Sequence, residues 1–515
     1  MTDHTQQKYR FSEAPIWELQ RQYYEEKGLH AWNNDQVPQY ITSNPMIGTA
    51  YAEIIFGFLQ DRAAKGEVSD PVLIVELGAG AGRLASHILH TLDGLREDAA
   101  IVLPPYRYVM TDLAVKNVEG WRRHAVLQPY IEQGVLDFAV FDAVGDEEIR
   151  LTESQTVIRP GDLKQPMLVV ANYFFCGIPQ ELLYIGEGQV YECDVLVERP
   201  ERSDSLSTSE ELQRITLQYE NRPAPEYEAD SYPYREVIDL YKKELEDSHV
   251  LFPELGLRCL ERLNRLSKAG FLLITADKGD HRLDNWRFAE PPELIYHGSF
   301  SLTANYHAFQ YTFEQRGGLA LFTPHHYKNL NVGCIFMLEN PNSYTNARLA
   351  HRRFVQRFGP DDFFSLKSWV DERITTMGLQ PILAFWRLGG YDAEFFIQSA
   401  KRISSLLAEA NDEELLDLQL GIQTMWSSYY VMEQGYNLAL DIGIVLFEMN
   451  SYETARHYLE LALREEEEPD ALILYCLAIC HLELGSAGEA KSCLQRALEL
   501  EPGHEEALEL LSCLE

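Results

Sequence analysis

Residues 72 to 84, Val-Leu-Ile-Val-Glu-Leu-Gly-Ala-Gly-Ala-Gly-Arg-Leu, constrain the fold more than any other stretch of this chain. Four apolar residues (Val72, Leu73, Ile74, Val75) run into an acid, Glu76. Glycines follow at alternate positions, Gly78, Gly80 and Gly82, and a helical pattern opens at Leu84. A short apolar run with these flanks predicts a buried parallel strand, a tight turn and a helix N-terminus. Glycine permits the turn and lets backbone approach a ligand closely. The helix N-terminus supplies unpaired N–H groups. The spacing is G-x-G-x-G, which differs from the G-x-G-x-x-G of dinucleotide-binding turns. The competing readings are a dinucleotide loop of altered spacing and a glycine turn that holds no ligand.

The alternation continues downstream. Apolar runs occur at 72–77, 107–111, 135–141, 167–171 and 270–276, with amphipathic patterns between the early ones, as from Val115 to Tyr130. This predicts an α/β domain: a mostly parallel sheet with helices on both faces. Ligands bind such sheets at the carboxyl ends of the strands, beside the point where strand order reverses. Gly317 to Thr323 and Val332 to Leu338 read as a closing antiparallel pair, for seven strands in all. The interval 181–250 exceeds a normal crossover. It carries strand patterns at Glu181 to Ile185, Gln189 to Glu198 and Arg214 to Tyr219, and a helix from about 234. It reads as an insertion over the mouth of the site. Residues 1–60 read as a helical lead-in around the loop from Val37 to Met46.

Strand signals stop after about 345, so the expected division is 1–345 and an all-α 346–515. Asn450-Ser-Tyr-Glu-Thr-Ala455 returns as Gly485-Ser-Ala-Gly-Glu-Ala490, and Ala462-Leu463 as Ala497-Leu498. The offset is about 35 residues, near the 34 of a tetratricopeptide repeat (TPR). TPR-like repeats are therefore expected over about 436–515, with Leu388-Gly-Gly-Tyr391 as a degenerate earlier unit. Stacked helix pairs form grooves that hold peptide, so a protein or peptide partner is expected there. The glutamates Glu465 to Glu468 read as a solvated turn.

The net charge of -36 argues against nucleic acid or a membrane surface as partner, since both are anionic. The sequence holds no apolar run of about 18 residues, and Met1 to Gly28 lacks the apolar stretch of a secretory signal. The eight cysteines are scattered without C-x-x-C pairs, which fits a reducing cytoplasm and no metal site. Cys476 and Cys480, one helical turn apart, read as core. His325-His326 read as hairpin loop residues without a role.

The 72–84 segment is similar to motif I of the class I S-adenosylmethionine (SAM) methyltransferases. There the glycine loop cradles the methionine end of the cofactor, and Glu76, Gly78, Gly80 and Gly82 are the matching positions here. Asp112, ending the second strand, is placed to accept hydrogen bonds from a ribose diol, or to cap a helix. Asp142, ending the third, has the same two readings, with an adenine amino group as the ligand. Asn172 ends the fourth strand, whose carboxyl end faces the methyl group in this fold, and offers both donor and acceptor. Tyr173 is placed to line a substrate site. Alignment of nucleophile, methyl and sulfur does most of the chemical work. A base is needed only when the acceptor must lose a proton, and His307 is the first candidate, with Tyr173 second.

Several segments in one order over residues 38 to 320 resemble the MidA family, relatives of the mitochondrial complex I assembly methyltransferase. The family's Asn-Glu-Phe-Phe-Asp-Ala-Leu-Pro is similar to Asn172 through Pro179. Its Phe-Ile-Thr-Ala-Pro-Glu is similar to Tyr40-Ile-Thr-Ser-Asn-Pro-Met46, followed by Phe56-Gly57. Its Ile-Asp-Tyr-Gly is similar to Ile274 through Gly279, and its Asp-Leu-Thr-Ala-His-Val-Asp-Phe to Ser301 through Ala308. The resemblance implies methyl transfer from SAM, with protein arginine as acceptor. Tyr173 and Cys176 stand where the family has Glu and Asp. A guanidinium is bound best by paired carboxylates, so the arginine acceptor does not carry over directly. Glu181, Glu192 and Asp277 are the candidate replacement acids. Three functional readings follow: methyl transfer to a protein side chain, a non-catalytic SAM-binding scaffold, and methyl transfer to a small molecule.

Overall fold

The computed structural model describes residues 7–35, 37–38, 40–198, 206–324, 330–432, 436–465 and 470–514. His325-His326 and the glutamates 466–468 lie outside the described residues, as does the side chain of Glu465. The chain divides into two compact units, Met1–Ser365 and Leu366–Glu515.

The first unit is built on a seven-stranded sheet. Its strands are β1 (Val72–Leu77), β2 (Tyr106–Asp112), β3 (Leu136–Val140), β4 (Met167–Asn172), β5 (Gly270–Asp277), β6 (Leu319–Phe322) and β7 (Asn331–Leu338). The order is β6-β7-β5-β4-β1-β2-β3. Strands β5, β4, β1, β2 and β3 pair in parallel, while β7 runs antiparallel to both β5 and β6. All residues of β1 are buried, as a parallel strand covered on both faces requires. Strand order reverses between β1 and β4, so the crevice of this sheet opens at their carboxyl ends.

A second sheet is antiparallel and comes largely from the 181–250 interval. Glu181–Gly186 pairs with Gln189–Glu198 and with Ser248–Phe252, and Thr216–Pro223 pairs with Gln189–Glu198. The N-terminal lead-in differs from the all-helical expectation, because Lys8–Arg10 is a strand of this sheet. Three residues are too few for a periodicity to register. A long-range ion pair fixes them: Arg10 Nε donates to Glu192 Oε1 at 2.8 Å, with Glu192 fully buried.

Helix Pro45–Ala64 starts at Asn44, whose side chain accepts from the Ile47 N–H at 3.2 Å. Helix Thr345–His351 lies against it. A Cβ on Gly57 would meet the Asn346 backbone carbon at 2.7 Å, so only glycine permits this approach. Asp61 accepts from the backbone N–H groups of Asn346 and Ala347, each at 3.0 Å. This docking carries the first unit past residue 345.

The second unit is helical. Helices Leu438–Glu448, Tyr452–Glu465, Ala471–Glu483 and Ala487–Leu500 form two consecutive pairs, followed by Glu505–Cys513. Ala455, Ala462, Ala490 and Ala497 are fully buried, as small residues between packed helices must be. The turn residues Asn450 and Gly485 both adopt left-handed backbone, at φ 57° and 78°. Among the described residues no helix is long and apolar enough to cross a membrane, and no group of His, Cys, Asp and Glu is arranged to hold a metal ion. All eight cysteines are unbridged.

Candidate functional site

The crevice holds two adjoining cavities of about 120 and 360 Å³. The smaller lies on the glycine loop, and the larger runs past the ends of β2 and β3. They share Tyr24, Trp32, Gly78, Tyr173 and Gly177.

The loop is built as its composition demands. Gly78, Gly80 and Gly82 sit at φ 62°, 55° and 86°, where a side chain strains the backbone. Added Cβ atoms would meet Phe174 at 3.0 Å from Gly78 and Trp32 at 2.8 Å from Gly80. Gly82 leads directly into helix Arg83–Glu97. The Gly80 N–H donates to Asp112 Oδ2 at 3.1 Å, and the Gly80 carbonyl accepts from the Trp121 indole at 3.0 Å. Asp112 Oδ1 accepts from the Ala114 N–H at 2.9 Å. Asp112 thus fixes two backbone segments and still lines the larger cavity. Burial pushes its carboxyl up, opposed by these N–H donors.

Asp142 lines the same cavity, accepts from the Val144 N–H at 2.9 Å and pairs with Arg21 at 3.1 Å. Glu76 lines the smaller cavity. Its carboxyl accepts from the Tyr108 hydroxyl at 3.0 Å, and burial pushes it up to about 8. It is therefore mostly neutral near pH 7.

At the end of β4, Asn172 accepts from the Tyr51 hydroxyl at 3.1 Å and donates to the Thr42 carbonyl. The segment expected as a loop from Val37 to Met46 instead carries helix Tyr40–Ser43, and the Asn172 amide ties it and helix Pro45–Ala64 to the rim of the smaller cavity. Tyr173 adopts φ 50°, and its N–H donates to the Ala276 carbonyl at 2.7 Å. The next turn is held by Asp277, whose Oδ2 accepts from the Cys176 N–H at 2.9 Å. Burial pushes Asp277 up to about 7. Of the three candidate replacement acids, Asp277 alone stands against this turn. Glu181 and Glu192 belong to the antiparallel sheet, facing Arg10, and Glu192 also faces Arg222.

His307 is not brought to either cavity. It is the second residue of helix Tyr306–Gln315, and its Nδ1 lies 3.0 Å from the Tyr241 hydroxyl of helix Arg235–Glu244. Burial pulls it down to about 4. The adjacent Tyr306 faces the sheet instead, 2.7 Å from Thr275 Oγ1. Neighbouring positions on a helix point about 100° apart, so anchoring Tyr306 on β5 turns His307 away.

Sequence reasoning missed Tyr24, Trp32, Arg83, Lys278 and His297, all of which line the smaller cavity. Tyr24 and Trp32 come from the N-terminal lead-in and stack on each other, with ring centroids 5.7 Å apart and planes at 26°. No local pattern marks them, because their role depends on the lead-in folding back across the sheet. Arg83 alone carried a signal, as the first residue after the glycine turn.

The tetratricopeptide repeat family model matches residues 446–512. No curated protein matches the chain. Among solved structures, an uncharacterized protein from Burkholderia thailandensis aligns at 13% identity and a TM-score of 0.39. A member of the same superfamily from that organism, titled a "likely methyl transferase" bound to S-adenosyl-homocysteine, aligns at 13% identity and a TM-score of 0.41. Each match covers 65% of this chain and 90% of the other.

Proposed function

We propose that this chain is a SAM-dependent methyltransferase of the class I, MidA-like kind, with its catalytic apparatus in the first unit. The observation that carries this reading is the convergence at one crevice of the left-handed Gly78-Gly80-Gly82 loop and the Asp112 carboxylate. The cofactor fits what is present. The loop approaches without Cβ atoms, the cations Arg83 and Lys278 border the smaller cavity where a carboxylate would lie, and two acids border the larger cavity where an adenosine would lie. Bound there, SAM supplies a methyl group on a good leaving group.

The chain's own residues do the rest. Gly78, Gly80 and Gly82 hold the methionine end, with Glu76 beneath them as a neutral acceptor or donor. Asp112 takes the ribose diol, and Asp142 the adenine amino group in exchange for part of its pairing with Arg21. Asn172 pins the rim, and Tyr173 would line the substrate side of a bound cofactor. Asp277 fixes the turn carrying Tyr173 and Cys176.

The acceptor in this reading is a protein or peptide side chain recruited by the helical repeats in the cytoplasm. The absence of acids at 173 and 176, together with the engagement of the Asn172 amide by Tyr51 and Thr42, favours a second reading. In it the chain keeps the cofactor as a scaffold and transfers nothing.

Calorimetry with SAM and S-adenosylhomocysteine (SAH) tests the cofactor. Binding of both, abolished by Gly80→Arg in a protein that still melts cooperatively, is expected. No heat at millimolar ligand overturns the reading. Incubation with methyl-labelled SAM and host lysate then separates the outcomes. Label in protein supports side-chain transfer, label in metabolites indicates a small acceptor, and no label supports the scaffold.

A further inference from the structure

The residues common to the two cavities present aromatic rings and no charged side chain, with Asp112 acting on Tyr24 and Asp277 on Tyr173 from beside them. The five residues common to both are Tyr24, Trp32, Gly78, Tyr173 and Gly177. The acids Glu76, Asp112 and Asp142 each line one cavity only. Burial pushes the hydroxyls of Tyr24 and Tyr173 upward, so both rings stay neutral. Trp32 is fixed in place: its ring stacks on Tyr24 and closes over the glycine loop, within 2.8 Å of where a Gly80 Cβ would stand.

This inference rests on the cofactor reading above. A molecule with its amino-acid end on the glycine loop and its adenosine along β2 and β3 places its sulfur where the two cavities join. In SAM that sulfur is a sulfonium cation, and in the product it is a neutral thioether. A cation at this aromatic junction is attracted by the negative faces of the rings. The neutral thioether gains only the packing.

We infer that Trp32, stacked on Tyr24 and lining both cavities with Tyr173, is the element that recognises the sulfonium and distinguishes the methyl donor from its demethylated product. Trp32 is in this sense a specificity-determining residue contributed by the N-terminal lead-in. It takes no part in bond making. It favours the charged ligand before transfer and loses that preference once the methyl has left, which assists product release.

The test is calorimetry on the full chain with three ligands: SAM, SAH, and sinefungin, in which a protonated amine replaces the methylated sulfur. Trp32→Leu retains apolar bulk and removes the aromatic face. It is expected to weaken SAM and sinefungin about 3- to 30-fold more than it weakens SAH, the range a cation–aromatic contact spans from exposed to desolvated. Trp32→Phe should recover part of that difference. Equal weakening of all three ligands, or a larger effect on SAH, overturns the inference and leaves Trp32 as a wall. If the unsubstituted chain binds none of the three, the cofactor reading itself fails and takes this one with it. Thermal melts identify a variant that does not fold, and Tyr24→Leu then decides by the same comparison.

Discussion

Glu76 and His307 show how burial sets the behaviour of single residues in this protein. Glu76 is the penultimate residue of a fully buried strand, and its carboxyl is pushed up to about 8. In the unfolded chain it titrates near 4.5. Between those values the folded state binds more protons than the unfolded state, so stability falls as pH rises through that window. Glu76→Gln keeps an acceptor for the Tyr108 hydroxyl and removes the titration. Urea denaturation of this variant between pH 5 and 8 should show a flatter stability profile than the parent, by roughly 2–4 kcal/mol across the window. Equal slopes would refute it. His307 makes the opposite case, half-buried and neutral beside Tyr241. His307→Ala should leave SAM affinity unchanged within about twofold and reduce stability by about 1 kcal/mol through the lost hydrogen bond. A large loss of methyl transfer with normal stability would return His307 to the site.

At the scale of elements, two contacts join segments far apart in sequence. Gly57 lets helix Thr345–His351 lie on helix Pro45–Ala64, and Asp61 holds its amino end. Gly57→Leu should separate the two helices and destabilise the first unit by about 2–4 kcal/mol, read as a lower melting temperature. An unchanged melt would mean that this docking contributes nothing. Arg10 holds the strand Lys8–Arg10 to the antiparallel sheet through the buried Glu192. Arg10 is itself 38% exposed, and Glu192 retains Arg222, so Arg10→Met should remove only about 1–2 kcal/mol. Amide exchange should rise selectively in Lys8–Arg10 and in its partner Gln189–Glu198.

At the scale of the whole molecule, the division into units bears on function. A chain ending at residue 365 retains helix Thr345–His351, whereas one ending at 345 lacks it. The longer truncation should bind SAM as the full chain does and lose methylation of a protein acceptor. The shorter one should be destabilised as well. Full methylation by the 1–365 chain, at unchanged acceptor affinity, would show that the helical unit recruits nothing. The net charge of -36 adds a salt dependence: a cationic acceptor attracted by this charge should bind more weakly from about 50 to 300 mM salt.

The strands of the central sheet were legible because each is a short apolar run bounded by turn residues, and burial on both faces leaves little freedom in composition. The glycine loop was legible because left-handed backbone at three alternate positions demands glycine. The repeat in the second unit was legible because small residues recur wherever paired helices touch. The strand Lys8–Arg10, the extension of the first unit beyond 345, and the roof of Tyr24 and Trp32 depended on tertiary structure. Each is fixed by contacts between residues distant in sequence, and such contacts leave no periodic mark. The facing of His307 was decided in the same way. A helix shows which residues share a side, but only packing decides which side meets the cavity, and here Tyr306 on β5 takes that choice.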